Sequence, residues 1–248
     1  GKKNNLLLIV IVAQLYCLCS FSQAMDNFER DTIQTTKGPL EMTFVGHGTL
    51  MFKFQNKIIH IDPTTREADY SQMPKADLIL VTHEHGDHLD LNAISAIAKE
   101  ETKIVLTKRC AAKVPAAKTM KNGDQTEVLG ISIEAVPAYN LIHKRSNGKP
   151  FHPKGAGNGY ILTLGNLRVY IAGDTEITPE MKKIKNIDIA FLPMNLPYTM
   201  TPQMVADAAR AFRPKILYPY HFGKTDTSKL VQLLAEETDI DIRIRKLD

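Results

Sequence analysis

The order of strand-like and helix-like segments predicts an α/β fold in which two β-sheets face each other with helices outside. Three observations predict it. Apolar runs of strand length dominate residues 40–136, with one helical pattern among them. The second half alternates hairpin, strand, helix, strand and helix, and no linker or composition step separates the halves. With 248 residues, 44% hydrophobic and 23% charged, the chain can bury a substantial core and has neither disordered nor collagenous composition.

Residues 1–24 are set apart from that fold. Lys2 and Lys3 precede an apolar run over residues 6–18, then Ser20, Ser22 and Ala24 supply small residues ahead of a cut. This is the pattern of a secretory signal peptide, too short for a spanning helix of about 20 residues. The expected organisation is a leader, 1–24, and one domain, 25–248. The mature chain would start near Met25 or Gln23, be exported to the periplasm or secreted, and keep no stable membrane span. Cys17 and Cys19 sit beside bulky Tyr16 and Leu18, which disfavours lipid attachment, and they leave with the leader. Cys110 remains alone, so no internal disulfide is expected, and it reads as a packed thiol. The net charge of +4 falls to 29 basic against 27 acidic residues, with no Trp and no basic cluster. That balance gives no support to a nucleic-acid partner.

The elements then follow in order. Residues 41–54 hold two apolar runs around Gly46-His47-Gly48, a hairpin or bulged pair. Lys57–Ile61 is a strand ended by Asp62-Pro63, and 77–82 is a third apolar run. Asp90 caps a helix through Lys99, with Leu91, Ile94, Ile97 and Ala98 at helical spacing. Residues 104–107 return to strand, Asn122-Gly123-Asp124 is a turn, and 131–136 is a strand. Residues 140–159 show no period and form a long loop, a common place for function. Strands at 160–164 and 167–172 flank the turn Gly165-Asn166 and close on Gly173-Asp174-Thr175. A strand at 187–193 is followed by a helix with Thr201 as cap and Pro202 as first residue, running to Phe212. Ile216–Tyr220 is a strand ending at His221; a helix at 228–237 and a strand at 240–244 complete the chain.

The segment Thr82-His83-Glu84-His85-Gly86-Asp87-His88 carries the chemistry. Three imidazoles and a carboxylate stand within six residues at the end of an apolar strand. A loop there can direct all four into one small volume, and these are ligand types for Zn2+ or a similar first-row ion. His83 and His85 alternate across one residue, while Asp87 and His88 follow the glycine. Two pairs pointing two ways suit a two-metal site. A solvated loop has no reason to gather such costly polar groups behind an apolar strand.

His83-x-His85-x-Asp87-His88 resembles the signature loop of the metallo-β-lactamase superfamily, and the resemblance runs from about Leu40 to the end. Asp62 looks like the family's early Asp, Asp174 like its bridging carboxylate, and His221 like its last His ligand. The resemblance implies a four-layer αββα sandwich of two mixed β-sheets with outer helices, its ligands delivered from strand ends along one edge. It implies one metal on His83 and His85, another on Asp87, His88 and His221, Asp174 bridging them, and Asp62 orienting a ligand from behind. Zn2+ is the expected ion, one or two per chain, with Mn2+ or another divalent metal as the alternative. The implied activity is attack by a metal-bound hydroxide on an ester, lactone or phosphodiester bond of a small molecule or lipid, with Asp87 orienting the nucleophile and handling its proton. The competing readings are a phosphodiesterase or nuclease on the same fold, and a catalytically impaired metal- or ligand-binding protein.

One departure matters. The family usually supplies a third His to the first metal, but here the segment reads Val136-Pro137-Ala138-Tyr139-Asn140, and an amide is a poor Zn2+ ligand. Either His143 or His152 in the following loop replaces it, or the first site is weak or empty. Nearby, Pro153-Lys154-Gly155 and Gly157-x-Gly159-Tyr160 resemble a branch of small superfamily hydrolases similar to the ascorbate-phosphate lactonases and the N-acyl-phosphatidylethanolamine phospholipase D type enzymes. His47, between two permissive glycines, and Tyr198, after a strand end, are candidates to line the pocket. His60, inside a strand, reads as structural.

Overall fold

The computed structural model describes residues 25–248; the expected leader, with Cys17 and Cys19, lies outside the described residues. The first sheet runs, each strand beside the next, β1 (Glu29–Thr35), β2 (Gly38–Gly46), β3 (Thr49–Phe54), β4 (Lys57–Ile61), β5 (Leu78–Leu80), β6 (Lys103–Leu106) and β7 (Lys118–Thr119). β1 to β4 pair antiparallel, and β4 to β7 pair parallel. The second sheet repeats the plan. β8 (Gln125–Val128), β9 (Ile131–Ala138), β10 (Gly157–Leu164) and β11 (Leu167–Ile171) are antiparallel. β12 (Ile189–Pro193), β13 (Ile216–Tyr220) and β14 (Asp241–Ile242) then continue parallel to β11.

The two-residue period of the strands sorts their side chains into layers. Leu40, Met42 and Phe44 of β2 and Leu50 and Phe52 of β3 enter the core between the sheets. Val45 and Met51, one residue out of phase, join a second core beneath α1 (Leu91–Ile97) and α2 (Lys108–Ala111). Between the sheets, Phe44 meets Tyr218 at 5.0 Å and Phe52 meets Phe191 at 6.0 Å between ring centroids. Truncating Phe52 to Ala would cost about 3–5 kcal/mol by the usual cavity penalty. On the outer face of the second sheet, α3 (Pro202–Phe212) packs Phe212 edge-on against Tyr170, and α4 (Ser228–Leu233) packs beside it. This is the helix–sheet–sheet–helix order expected from the sequence.

The differences have local causes. β1 was not expected, because Glu-Arg-Asp-Thr-Ile-Gln-Thr is mostly exposed and polar, as an edge strand tends to be. β7 is two exposed residues, and β8 and the one-turn α2 are likewise short and half exposed. α1 ends at Ile97 rather than Lys99: Ala98 turns extended, and the Lys99 amide bonds Thr102 Oγ1 instead of continuing the helix. α4 stops at Leu233 and the last strand shrinks to Asp241–Ile242. The bulge expected near Gly46 is present as a register shift between Phe44 and Gly46. Cys110 is buried, with its thiol pushed up by burial. Among the described residues no helix is long and apolar enough to cross a membrane.

Candidate metal centre

Parallel strands from both sheets end along one edge, and each end delivers a polar side chain. Asp62 follows β4, His83 lies beyond β5, Asp174 beyond β11, Asn195 beyond β12, and His221 follows β13. Three residues on this edge hold left-handed backbone: His47 at φ 48°, Asp62 at φ 46° and His221 at φ 48°. Such conformations cost about 1–3 kcal/mol in non-glycine residues and cluster where a site demands them. The His47 carbonyl accepts from the His221 amide at 3.0 Å, tying the two turns together. Gly48 is required beside them, since a Cβ there would stand 2.8 Å from His88 Cε1.

Two ligand-like clusters share one carboxylate. His83, His85, His152 and Asp174 form the first; Asp87, His88, His221 and Asp174 form the second. In the first, His83 Nε2 lies 3.1 Å from His85 Nδ1 and 3.7 Å from Asp174 Oδ2, and His152 Nε2 lies 3.2 Å from the same oxygen. In the second, His88 Nε2 is 3.4 Å from Asp174 Oδ1 and 3.6 Å from Asp87 Oδ2; His221 Nε2 is 3.3 Å and 3.5 Å from Asp174 and Asp87. Most of these spacings are long for hydrogen bonds. They suit atoms around a shared cation, because ligands about 2.0–2.1 Å from a tetrahedral ion lie roughly 3.3 Å apart.

The polar atoms themselves test whether a cation fits. His88 Nε2, His221 Nε2 and Asp174 Oδ1 are buried without a hydrogen-bond partner. Each such atom costs about 1–3 kcal/mol unless something compensates it, and all three converge on one point. Burial disfavours charge on Asp174, yet His221 and His88 hold its carboxyl well below the usual range. Asp87 is pulled down against burial in the same way, by His221 and His47. Burial lowers His83, His85 and His221, keeping these rings neutral. Burial also opposes charge on His88, but Asp174 and Asp62 on its two sides raise its pKa well above normal. Positive charge is therefore favoured where a divalent ion would sit: the carboxylates are held ionised, and the His88 ring would give up its proton to a bound ion.

A further set of groups holds the rings. His88 Nδ1 pairs with Asp62 Oδ2 at 2.7 Å, and that carboxylate also accepts from the Thr82 amide and hydroxyl. His221 Nδ1 meets Asn195 Oδ1 at 3.0 Å. Asn140 does not reach the first cluster as a ligand. Its Oδ1 pairs with His152 Nδ1 at 2.7 Å and accepts from the His152 amide, while its Nδ2 donates to Glu176 and to the Tyr198 carbonyl. Of the two loop histidines, His152 enters the cluster, whereas His143 turns away to pair with Glu176 at 2.9 Å. Glu176, buried, also accepts from the amides of Leu141, Ile142 and His143, pinning the loop that bears His152.

A cavity of about 420 Å³ opens over both clusters, lined in part by His47, Asp87, Arg145, Phe151, Asn195 and Tyr198. His47 packs tilted against His221 at 3.7 Å between centroids, and Tyr198 stands at the rim, 45% exposed. His60 lies apart, buried and bonded to the Pro74 carbonyl at 2.9 Å. Sequence reasoning missed Asn195, Glu176, Arg145 and Phe151. Only Asn195 had a readable signal: a polar residue just past an apolar strand, as with Asp62 and His221.

Residues 41–221 match the family described as a beta-lactamase superfamily domain. The chain belongs to the metallo-β-lactamase superfamily. A superfamily relative in Pyrococcus furiosus, named as a UPF0173 metal-dependent hydrolase, is 31% identical over 223 residues, covering 82% of this chain and 96% of that one. A crystal structure from Parabacteroides distasonis, named as a metal-dependent hydrolase, is 51% identical, with TM-score 0.85 over 89% of this chain and all of that one. Igni18, a metallo hydrolase of Ignicoccus hospitalis, shares the metallo-β-lactamase fold at 23% identity and TM-score 0.68, covering 84% of this chain and 95% of its own.

Proposed function

We propose that this chain is a metal-dependent hydrolase that holds two divalent ions and cleaves an ester, lactone or phosphodiester bond in a small molecule or lipid. His83, His85 and His152 would hold one ion and Asp87, His88 and His221 the other, with Asp174 between them. The observation that carries this reading is the pair of clusters sharing Asp174, with three buried polar atoms left unpartnered around it. The imidazole and carboxylate donor set favours Zn2+, with Mn2+ as the alternative. When bound, such ions supply Lewis acidity, which acidifies water and polarises the scissile group.

The chain's own residues do the rest. Asp62, Asn140 and Asn195 fix the rings of His88, His152 and His221 by their second nitrogens. Asp87, half exposed at the cavity floor beside His47, is placed to orient an attacking water and receive its proton. Among the described residues the site offers no Ser or Cys nucleophile: Cys110, on α2, is buried in the second core. His152 in the first cluster argues against an impaired binding protein, a reading that rested on a missing third His.

Elemental analysis should find two ions per chain, and chelation should abolish hydrolysis of model esters or phosphodiesters, with Zn2+ or Mn2+ restoring it. Turnover that survives complete metal removal would sink the proposal. Export is proposed on the leader pattern at 1–24. Expression in an exporting host should yield a mature N-terminus near Gln23 or Met25, and an uncut leader by intact mass would remove that assignment.

A further inference from the structure

One wall of the cavity belongs to neither cluster. Arg145 stands at the tip of the loop between β9 and β10, where Lys144 and Pro150 form an isolated antiparallel bridge. The Arg145 amide donates to the Lys149 carbonyl at 2.8 Å, and the Gly148 amide donates back to the Arg145 carbonyl at 2.9 Å. This small hairpin sets the guanidinium over the Phe151 ring, 4.9 Å from its centroid. Phe151 in turn meets Tyr198 edge-on at 5.1 Å. The three side chains make a continuous aromatic and cationic wall facing Asp87, Asp174 and His221.

The charge on that wall is unmatched. Arg109, Arg168, Arg210 and Arg213 each face a carboxylate. No carboxylate among the described residues pairs with Arg145. The acids lining the cavity are Asp87 and Asp174, and both belong to the ligand clusters. A guanidinium held over an aromatic ring is already positioned and loses less freedom when its N–H groups bind a carboxylate or phosphate oxygen pair. The cavity lies at the small end of ligand pockets, which favours a small molecule over a lipid.

We infer that the site selects a small anionic substrate: a carboxylate or phosphate remote from the scissile bond binds Arg145, and an apolar portion lies against Phe151 and Tyr198. This rests on the hydrolase reading above. Two 4-nitrophenyl esters of similar length test it on the metal-loaded protein, the hydrogen glutarate with a free carboxylate and the neutral valerate. Arg145→Met should lower the glutarate-to-valerate ratio of kcat/KM about tenfold, chiefly through KM, as loss of a charge-assisted bond does. Arg145→Lys should recover part of the ratio. Calorimetry with phenylacetate and phenylphosphonate reports the same contact without turnover and separates carboxylate from phosphate recognition; at least one should bind Arg145→Met about tenfold more weakly. Turnover of both esters with an unchanged ratio, together with unchanged affinities, overturns the inference and leaves the hydrolase reading standing. If the wild type cleaves neither ester, that result counts against the hydrolase reading, and calorimetry alone decides the inference: unchanged affinities overturn it and a tenfold loss supports it.

Discussion

The two candidate ligand clusters share Asp174 but are built differently. The second takes His221 from a strand end and Asp87 and His88 from the turn after β5, and a buried carboxylate, Asp62, backs His88. Its geometry is set by the sheets. The first borrows His152 from a long loop without regular structure, and reaches it through a relay: Glu176 grips the loop amides and Asn140, and Asn140 grips His152. A ligand on a strand end is placed by sheet pairing. One on a loop must be placed by polar contacts that the rest of the chain supplies.

The largest expected effect removes the group common to both. Asp174→Asn should empty both sites and lower hydrolysis by more than the ten- to hundredfold typical of changes one shell out from a metal. Elemental analysis showing two ions retained would break the shared-bridge reading. Next come the single-cluster variants. His88→Ala and His221→Ala should leave one ion per chain after mild chelation, held by the first cluster, and His152→Ala should leave one held by the second. Metal titration with a competing chelator distinguishes them, and a His152→Ala protein with two undiminished sites would remove that ring from the centre.

The backing groups sharpen the contrast further. Asp62→Asn should weaken only the second site and Asn140→Ala only the first, each about ten- to hundredfold in affinity. Asn140→His should also weaken the first site, because it removes the amide that orients His152 rather than adding a ligand. If it strengthened that site, the relay would be wrong.

The smallest effect comes from His60, on the strand that ends at Asp62 but in neither cluster. Burial pushes this ring down to about 4, against the smaller opposing effect of its bond to the Pro74 carbonyl. The unfolded chain therefore takes up this proton first. The contribution to stability is complete above about pH 6.5 and is lost as pH falls toward 4, at up to about 1.4 kcal/mol per pH unit. In the metal-free protein, His60→Gln should flatten the fall in urea-unfolding free energy over that window. An unchanged slope would place the acid sensitivity among the cluster residues instead.

The two-sheet architecture was legible residue by residue, because strand period and caps are local. Lys57–Ile61 and Ile216–Tyr220 could be bounded to the residue, and Thr201-Pro202 opens α3 with the Thr201 hydroxyl accepting from the Met204 amide. The sequence also displayed His83, His85, Asp87 and His88, since four ligand-type residues within six positions form a pattern in one dimension. β1 was hidden because an edge strand needs no apolar period. The choice of His152 over Asn140 and His143 was decided only by tertiary structure, as were the relay through Glu176 and the wall of Arg145 and Phe151. A residue in an aperiodic loop carries no local signal of its direction; that direction is set by hydrogen bonds to groups distant in sequence, here from Asn140 Nδ2 both to Glu176 and to the Tyr198 carbonyl.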